Sequence, residues 1–198
     1  MVVTPVVAAM KDEDRLYERL LVLRSQTGDE GALTELIGLY SPRLRYYLRK
    51  MLPGHCGDNA GQAEDLLQET WCDALRSFGS LRDAAAFPAW IYRIARDRAW
   101  RLLRRERPAI SLLPEMDLPA AAEEPEFSAD DAAAVHAALA EVPAEQREVL
   151  VLRFLEGMTY EEIAAVTVAP LGTVRSRLFY GKETLRQLLA KDFCHDRP

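Results

Sequence analysis

TYEEIAAVTVAPLGTVRSRLFYGKETLRQLL, running from Thr159 to Leu189, reads as a helix, a tight turn and a second helix of the kind that enters a DNA groove. Thr159 and Glu162 form a capping box that starts a short helix with Ile163, Ala164 and Val166 facing inward. Ala164 is the small residue at which two helices must approach. Pro170 forbids continuation of this helix, and Thr173 is placed to cap the next. On that second helix Val174, Leu178, Leu185, Leu188 and Leu189 share one side, leaving Arg175, Ser176, Phe179 and Lys182 off it. An arginine can donate in pairs to a guanine edge, and an aromatic group can meet a thymine methyl. An amphipathic helical hairpin with a merely solvated basic face is the bland alternative.

The charge of the whole chain, taken alone, opposes DNA binding. Its 198 residues carry a formal charge of −6. The charges are segregated, however: Trp90 to Pro108 has a local balance of +5, Gly172 to Lys191 one of +4, and Ala109 to Asp131 holds seven acids and no base. Two basic surfaces joined by an acidic strap would bind DNA in defined places, while the overall negative charge suppresses indiscriminate binding.

With 49% hydrophobic residues the chain can bury one ordinary core or two small ones. Cys56, Cys72 and Cys194 have no paired spacing, which argues against a disulfide framework and for a reducing cytoplasm. His55-Cys56 and Cys194-His195 could together offer four soft ligands, but both pairs sit in expected loops or tails, and neither a metal nor a cofactor is expected. Val2 to Ala9 is too short for a signal sequence and lacks a basic start, and no stretch approaches a membrane span, so no membrane insertion is expected. Met10 is an alternative start to Met1, and the short tail after Leu189 implies no appended sensor domain.

Upstream, Asp14 to Gln26 places Leu16, Leu20 and Leu23 on one face of a first helix, ended by Gly28-Asp29. Leu33, Leu36, Ile37, Tyr40, Leu44, Tyr47, Leu48 and Met51 recur at helical spacing, with a kink or restart expected at Ser41-Pro42 and an end at Pro53-Gly54. In AEDLLQETWCDALRSF, Leu67, Trp71, Ala74, Leu75 and Phe78 form a buried stripe, while Glu64, Asp65, Gln68, Glu69 and Asp73 crowd the other side. An acidic face in a DNA-binding protein repels phosphate, so it is either solvated surface or a dock for a basic protein partner.

Ala84 to Arg105 is a basic helical region. Ile91, Ala95, Ala99 and Leu102 mark its buried side, and Phe87, Trp90, Tyr92 and Trp100 interleave with Arg93, Arg96, Arg98, Arg101 and Arg104. Rings and guanidinium groups in alternation suit a single strand with exposed bases, although Phe87 reads as core. Arg107 to Asp131, with four prolines and no apolar period, is an extended linker. Asp130 then caps a helix through Ala140, Pro143 opens another, and Val149, Leu150, Leu152, Phe154 and Leu155 supply a second core.

AEDLLQETW at Ala63 to Trp71, FPAWIYRIAR at Phe87 to Arg96, LRFLEGMTYEEIA at Leu152 to Ala164 and PLGTVRSRL at Pro170 to Leu178 occur in that order and spacing. Together they resemble the extracytoplasmic function (ECF) group of bacterial RNA polymerase sigma factors, over about Gly28 to Leu189. The resemblance implies an all-α chain of two small helical domains, 12–107 and 130–192, joined by an acidic linker at 108–129. It implies a promoter-specificity factor without covalent chemistry, serving a stress or envelope-type regulon and held closed by a separate anti-sigma factor. Asp65, Gln68 and Glu69 correspond to the acidic helix that docks on the clamp helices of the largest subunit of core RNA polymerase. Trp90, Arg93, Arg96, Asp97 and Arg101 fall on the helix that meets the minus-ten element of promoter DNA, and Ser80 to Ala86 on the loop that receives an extruded base. Thr173, Arg175, Ser176 and Phe179 match readers of the minus-thirty-five element, with Lys182 on phosphate.

Five positions depart from the family pattern. Asp97 replaces the usual Asn, and Arg101 the usual Asp, which implies altered base preference. Val168 replaces a turn Gly, so a shifted or weakened turn is expected if φ stays positive there. Tyr180-Gly181 replaces a more basic, helix-favouring pair. Two other classes compete with this reading: a helix-turn-helix regulator that binds operator DNA without polymerase, and a metal-dependent nuclease using the carboxylates near Asp65. The first half lacks the strand alternation of a receiver domain, and a nuclease needs carboxylates converging from separate elements.

Overall fold

The computed structural model describes residues 12–52, 59–106 and 132–195, and these fold into helices joined by short turns, with no strand among them. Four helices come first: α1 (Asp12–Gln26), α2 (Glu30–Met51), α3 (Ala60–Ser77) and α4 (Phe87–Glu106), with short 3-10 turns at Phe78–Ser80 and Ala84–Ala86. A second group follows, α5 (Ala132–Glu141), α6 (Ala144–Leu150), α7 (Tyr160–Thr167) and α8 (Leu171–His195). The linker at 108–129, Pro53-Gly54, His55-Cys56, Val2 to Ala9 and the Asp130 cap lie outside the described residues.

Gly28, at φ +93°, turns the chain between α1 and α2 in a region that disfavours other residues. Asp29 then caps α2 by accepting from the Ala32 amide at 3.0 Å, and Arg24 donates to the same carboxylate at 2.7 and 2.9 Å. The expected restart at Ser41-Pro42 does not occur: α2 runs on as one helix with Pro42 inside it. An interior proline costs about 3 kcal/mol, but each large apolar side chain fully buried returns about 1.5–3 kcal/mol. Leu36, Tyr40, Leu44, Tyr47, Leu48 and Met51 are all fully buried, so packing prevails.

The expected inward face of α1 is corrected. Leu16, Leu20 and Leu23 are 67%, 48% and 53% exposed, whereas Glu18, Leu21 and Val22 are buried. The buried stripe of α3 holds Ala63, Leu66, Leu67, Thr70, Trp71 and Ala74, and Leu75, expected in it, is 47% exposed. On α4 the buried side is Ile91, Tyr92, Ala95, Ala99, Trp100 and Leu103, with Leu102 only half-buried. Phe87 is core as read, set edge-on to Tyr40 at 5.0 Å between ring centres.

In the second group the capping box is present: the Thr159 hydroxyl accepts from the Glu162 amide, and Glu162 accepts from the Thr159 amide at 2.7 Å. Helix α8 begins at Leu171, so Thr173 lies within its first turn instead of capping it. Helix α6 widens into a π turn at Val151–Leu155, which carries the chain toward α7.

Two backbone features have opposite energetics. Val168 is the only non-glycine residue with positive φ among the described residues, at φ 52° and ψ 43°, and its side chain is 62% exposed. The turn has therefore kept its left-handed geometry at a β-branched residue, with no burial to offset the strain. Gly181 has a packing reason: a Cβ there would stand 3.1 Å from Leu150 Cδ1 and 3.2 Å from Gln146 Cβ, where α8 crosses α6. Val168→Gly should raise stability by about 0.5–1 kcal/mol in urea unfolding, relief of strain exceeding the entropy of the added glycine. Gly181→Ala should lower it by about 1 kcal/mol despite better helix propensity, because the added methyl overpacks the crossing. A stabilising Gly181→Ala would contradict this account of the crossing.

Candidate nucleic-acid interface

Helix α4 presents a cationic surface because its apolar positions are spent on the core. Arg93, Arg101, Arg104 and Arg105 are exposed, with Asp97 among them. Trp90 is half-buried, its ring 6.1 Å from Phe78 and 5.8 Å from Phe87, so one side belongs to the core. Before α4, the Ser80 to Ala86 segment keeps Ser80, Arg82, Asp83, Ala85 and Ala86 exposed while Leu81 and Ala84 anchor it. Gln26 Nε2 donates to the Leu81 carbonyl at 2.7 Å and ties this loop to α1. Tyr92 and Trp100, read in sequence as interleaving with the arginines, are instead buried.

The acidic side of α3 divides into paired and open groups. Arg45 donates to Glu64 at 2.7 Å, and Arg98 binds both Glu69, at 2.7 Å, and Asp73. Asp65 and Gln68 are exposed beside them. Burial of the opposite stripe fixes the orientation of this face, so the open acid and amide are held outward by the core.

On α8, Arg175 is exposed, while Thr173, Phe179 and Lys182 are half-buried. Phe179 stacks edge-on with Tyr180 at 5.3 Å. Ser176 is nearly buried and donates to the Thr173 carbonyl at 2.9 Å, which leaves its hydroxyl oxygen still able to accept. Arg177, which the sequence reading left out, is taken by Glu145 at 2.9 Å.

The strongest electrostatic feature was not legible as a site. Glu148 of α6 is fully buried, and its Oε1 accepts from three groups of the first four helices: Tyr47 Oη at 2.9 Å, Arg96 Nε at 2.9 Å and Trp100 Nε1 at 3.1 Å. Arg96 also lies over the Trp100 ring at 5.4 Å. Glu148 Oε2 is buried without a hydrogen-bond partner among the described residues. Such an orphaned oxygen costs about 1–3 kcal/mol. Nearby, Arg43 donates to the Glu156 carboxylate at 3.0 Å and to its carbonyl at 3.3 Å. Helix α7 lies along α4, so the second group of helices covers part of the cationic helix.

Among the described residues no cluster of three or more His, Cys, Asp or Glu is arranged to hold a metal ion, and no helix is long and apolar enough to cross a membrane.

Comparison with known proteins meets this geometry at both ends. The model of Sigma-70 region 2 matches residues 36–108, and that of Sigma-70, region 4 matches residues 132–185. The chain is 32% identical over 192 residues to the RNA polymerase sigma-H factor of Pseudomonas aeruginosa, covering 87% of this chain and 93% of that one. It is 31% identical over 188 residues to the ECF RNA polymerase sigma-E factor of Escherichia coli K12, covering 87% and 94%. Among solved structures, CnrH in complex with the cytosolic domain of CnrY is similar with a TM-score of 0.66 at 23% identity, covering 89% of this chain and 99% of that one. The sigma factor RpoE of Bartonella quintana, solved with the anti-sigma factor NepR, gives 0.61 at 24% identity, covering 80% and 96%.

Burial pushes the Glu148 carboxyl above the ordinary carboxylate range, against the opposing pull of Arg96 and the hydrogen bonds from Trp100 and Tyr47. Burial likewise raises Glu156, against Arg43. Both groups hold protons more tightly folded than unfolded, so their stabilisation is complete below the ordinary range and is lost as pH rises through the shifted values. A Glu148→Gln, Glu156→Gln double variant lacks this loss. Its melting temperature relative to the unsubstituted protein should therefore climb between about pH 4.5 and pH 7, a range that starts at the usual glutamate value and runs upward from it. A difference that stays flat with pH would contradict the assignment.

Proposed function

Because the chain belongs to the extracytoplasmic function group of the sigma-70 family, and so directs transcription initiation as a sigma factor, we propose a residue-level division of that work. The single observation that carries it is the match of region 2 to the half bearing the acidic α3 and cationic α4, and of region 4 to the half bearing the helix-turn-helix. A helix-turn-helix regulator acting without polymerase gives no reason for the first half to match region 2.

In this proposal the unit at 12–107 binds polymerase and the minus-ten element, 108–129 links, and 130–192 binds the minus-thirty-five element. Asp65 and Gln68, exposed on α3, contact the clamp helices of the largest polymerase subunit. Glu69 contributes to the same acidic face while pairing with Arg98, whose guanidinium it shares with Asp73. On α4, Arg93, Arg96 and Arg101 follow the phosphates of the melted strand, Trp90 stacks at its edge, and Asp97 adjusts base preference. Arg175 and Phe179 read bases in the major groove, Lys182 meets phosphate, and Thr173 and Ser176 shape the start of the reading helix. The chain works in the cytoplasm, has no catalytic residues of its own, and serves a stress or envelope-type regulon under an anti-sigma factor. The mechanism is differential binding: interactions with melted bases exist only in the open promoter, so they bias the duplex toward opening.

Arg175→Ala should cost about 1–3 kcal/mol of promoter binding and relax preference at one base position, measured with holoenzyme on a promoter library. A uniform loss over all sequences would assign Arg175 to phosphate instead. Replacing Asp65 and Gln68 together with alanine should abolish capture by core polymerase without lowering the melting temperature, since neither side chain supports the core. Unaltered polymerase affinity would remove α3 from the interface.

A further inference from the structure

We propose that Gln26 of α1 is a positioning residue for promoter opening: its side-chain amide fixes the Ser80 to Ala86 segment in the conformation that receives an extruded base. The inference deepens the division of work proposed above and rests on that segment having the base-receiving role its resemblance implies.

The segment is built from two short turns and a link between them. Phe78–Ser80 and Ala84–Ala86 are 3-10 turns closed by their own backbone, the Leu81 amide donating to the Phe78 carbonyl at 3.2 Å and the Ala86 amide to the Asp83 carbonyl at 3.0 Å. Asp83 also accepts from the Ala85 amide at 2.9 Å, which caps the second turn. Leu81, Arg82 and Asp83 lie between the turns and belong to neither. Leu81 is buried and ties one end of the link to the core, whereas Arg82 and Asp83 are exposed and offer polar side chains to a base or its phosphate. Such a link is free to swing unless its peptide groups are held.

Gln26 holds it from another element. Its Nε2 carries two hydrogens and donates to the Leu81 carbonyl at 2.7 Å and to the Phe78 carbonyl at 3.4 Å, so one amide bridges the first turn and the start of the link. The support behind Gln26 is firm. It stands at the end of α1, where the Thr27 amide donates back to the Leu23 and Arg24 carbonyls, Gly28 turns the chain at φ +93°, and the Arg24 guanidinium grips Asp29 at 2.7 and 2.9 Å. Leu21 and Val22 are buried in the core beside it, and α1 also packs against the Ala84–Ala86 turn. The α1–α2 corner is therefore a fixed post from which the segment is hung. Helix α1 lies before residue 36, where the match to region 2 begins, so that match assigns it no part in promoter recognition.

An extruded base gives up its stacking and pairing, and a receiving segment that must first be ordered returns less of that loss. Removing the Gln26 amide should therefore weaken strand opening while leaving polymerase capture and duplex binding by α8 intact.

The test uses holoenzyme assembled from core RNA polymerase and the full chain, on a promoter selected from a library, with opening read by permanganate reactivity of unpaired thymines. Abasic sites are introduced one at a time along the non-template strand of the minus-ten element, and the position at which the unsubstituted protein loses most opening marks the received base. Gln26→Ala should lower the open-to-closed ratio about three- to tenfold on the intact promoter, the worth of one or two neutral hydrogen bonds. Gln26→Glu keeps the length but cannot donate, and should lose at least as much. On the promoter abasic at the marked position Gln26→Ala should match the unsubstituted protein, whereas abasic sites elsewhere should leave its defect undiminished. Circular dichroism melts and polymerase affinity establish that both variants are folded and assembled. An equal defect on the intact and the marked abasic promoter, or normal opening by either variant, would overturn the positioning role and leave the sigma assignment intact. If no abasic position weakened opening, the base-receiving role of the segment would fall, and this inference with it.

Discussion

Burying a carboxylate without exposure demands that donors meet it, and at Glu148 those donors belong to the other half of the chain. The position of the second group of helices against the first follows from that demand. Tyr47 must point from α2 out of an aromatic core, Trp100 must turn its indole N–H across the interface, and Arg96 must lie over the Trp100 ring. Apolar contact could hold many relative orientations of two helical groups. Three directional bonds to one oxygen fix one of them.

The sequence made the helices of the first half legible wherever apolar residues alone did the burying. On α2 the periodic positions Leu36, Tyr40, Leu44 and Tyr47 are those found in the core, and Phe87 is core as expected. The reading failed where a polar residue took a buried place. On α1, Glu18 lies on the inward face, so the neighbouring stripe of Leu16, Leu20 and Leu23 looked like the buried one although it faces out. On α6, Glu145, Gln146, Arg147 and Glu148 are all buried, each with a specific partner such as Arg177, Thr184 or the Ala140 carbonyl. A run of four polar residues after a proline carries no local sign that each has a partner more than thirty positions away, Arg147 through the Met51 carbonyl. Only the third dimension supplies them.

The candidate site divided in the same way. Asp65 and Gln68 stand exposed, and Arg93, Arg101 and Arg175 reach the surface, because the apolar periodicity opposite them is clean. Ser176 turned inward to its own helix, Arg96 was claimed by Glu148, and Glu69 by Arg98. Each is a short-range electrostatic choice that spacing cannot rank. Val168 was the reverse case: a departure in the turn pointed to strain, and the left-handed φ of 52° is present.

Segregated charge then accounts for how an acidic chain can serve on DNA. Its cationic residues are concentrated on α4 and α8, and the acidic face of α3 is held outward on the opposite commitment, toward protein. Such a molecule should need polymerase to use its DNA-binding surfaces together. The most direct measurement is to present the purified chain with a fluorescent promoter library, with and without core RNA polymerase, scoring duplex binding and strand opening. The account predicts sequence-selective binding and opening only when polymerase is present; tight, selective duplex binding by the chain alone, indifferent to polymerase, would contradict it.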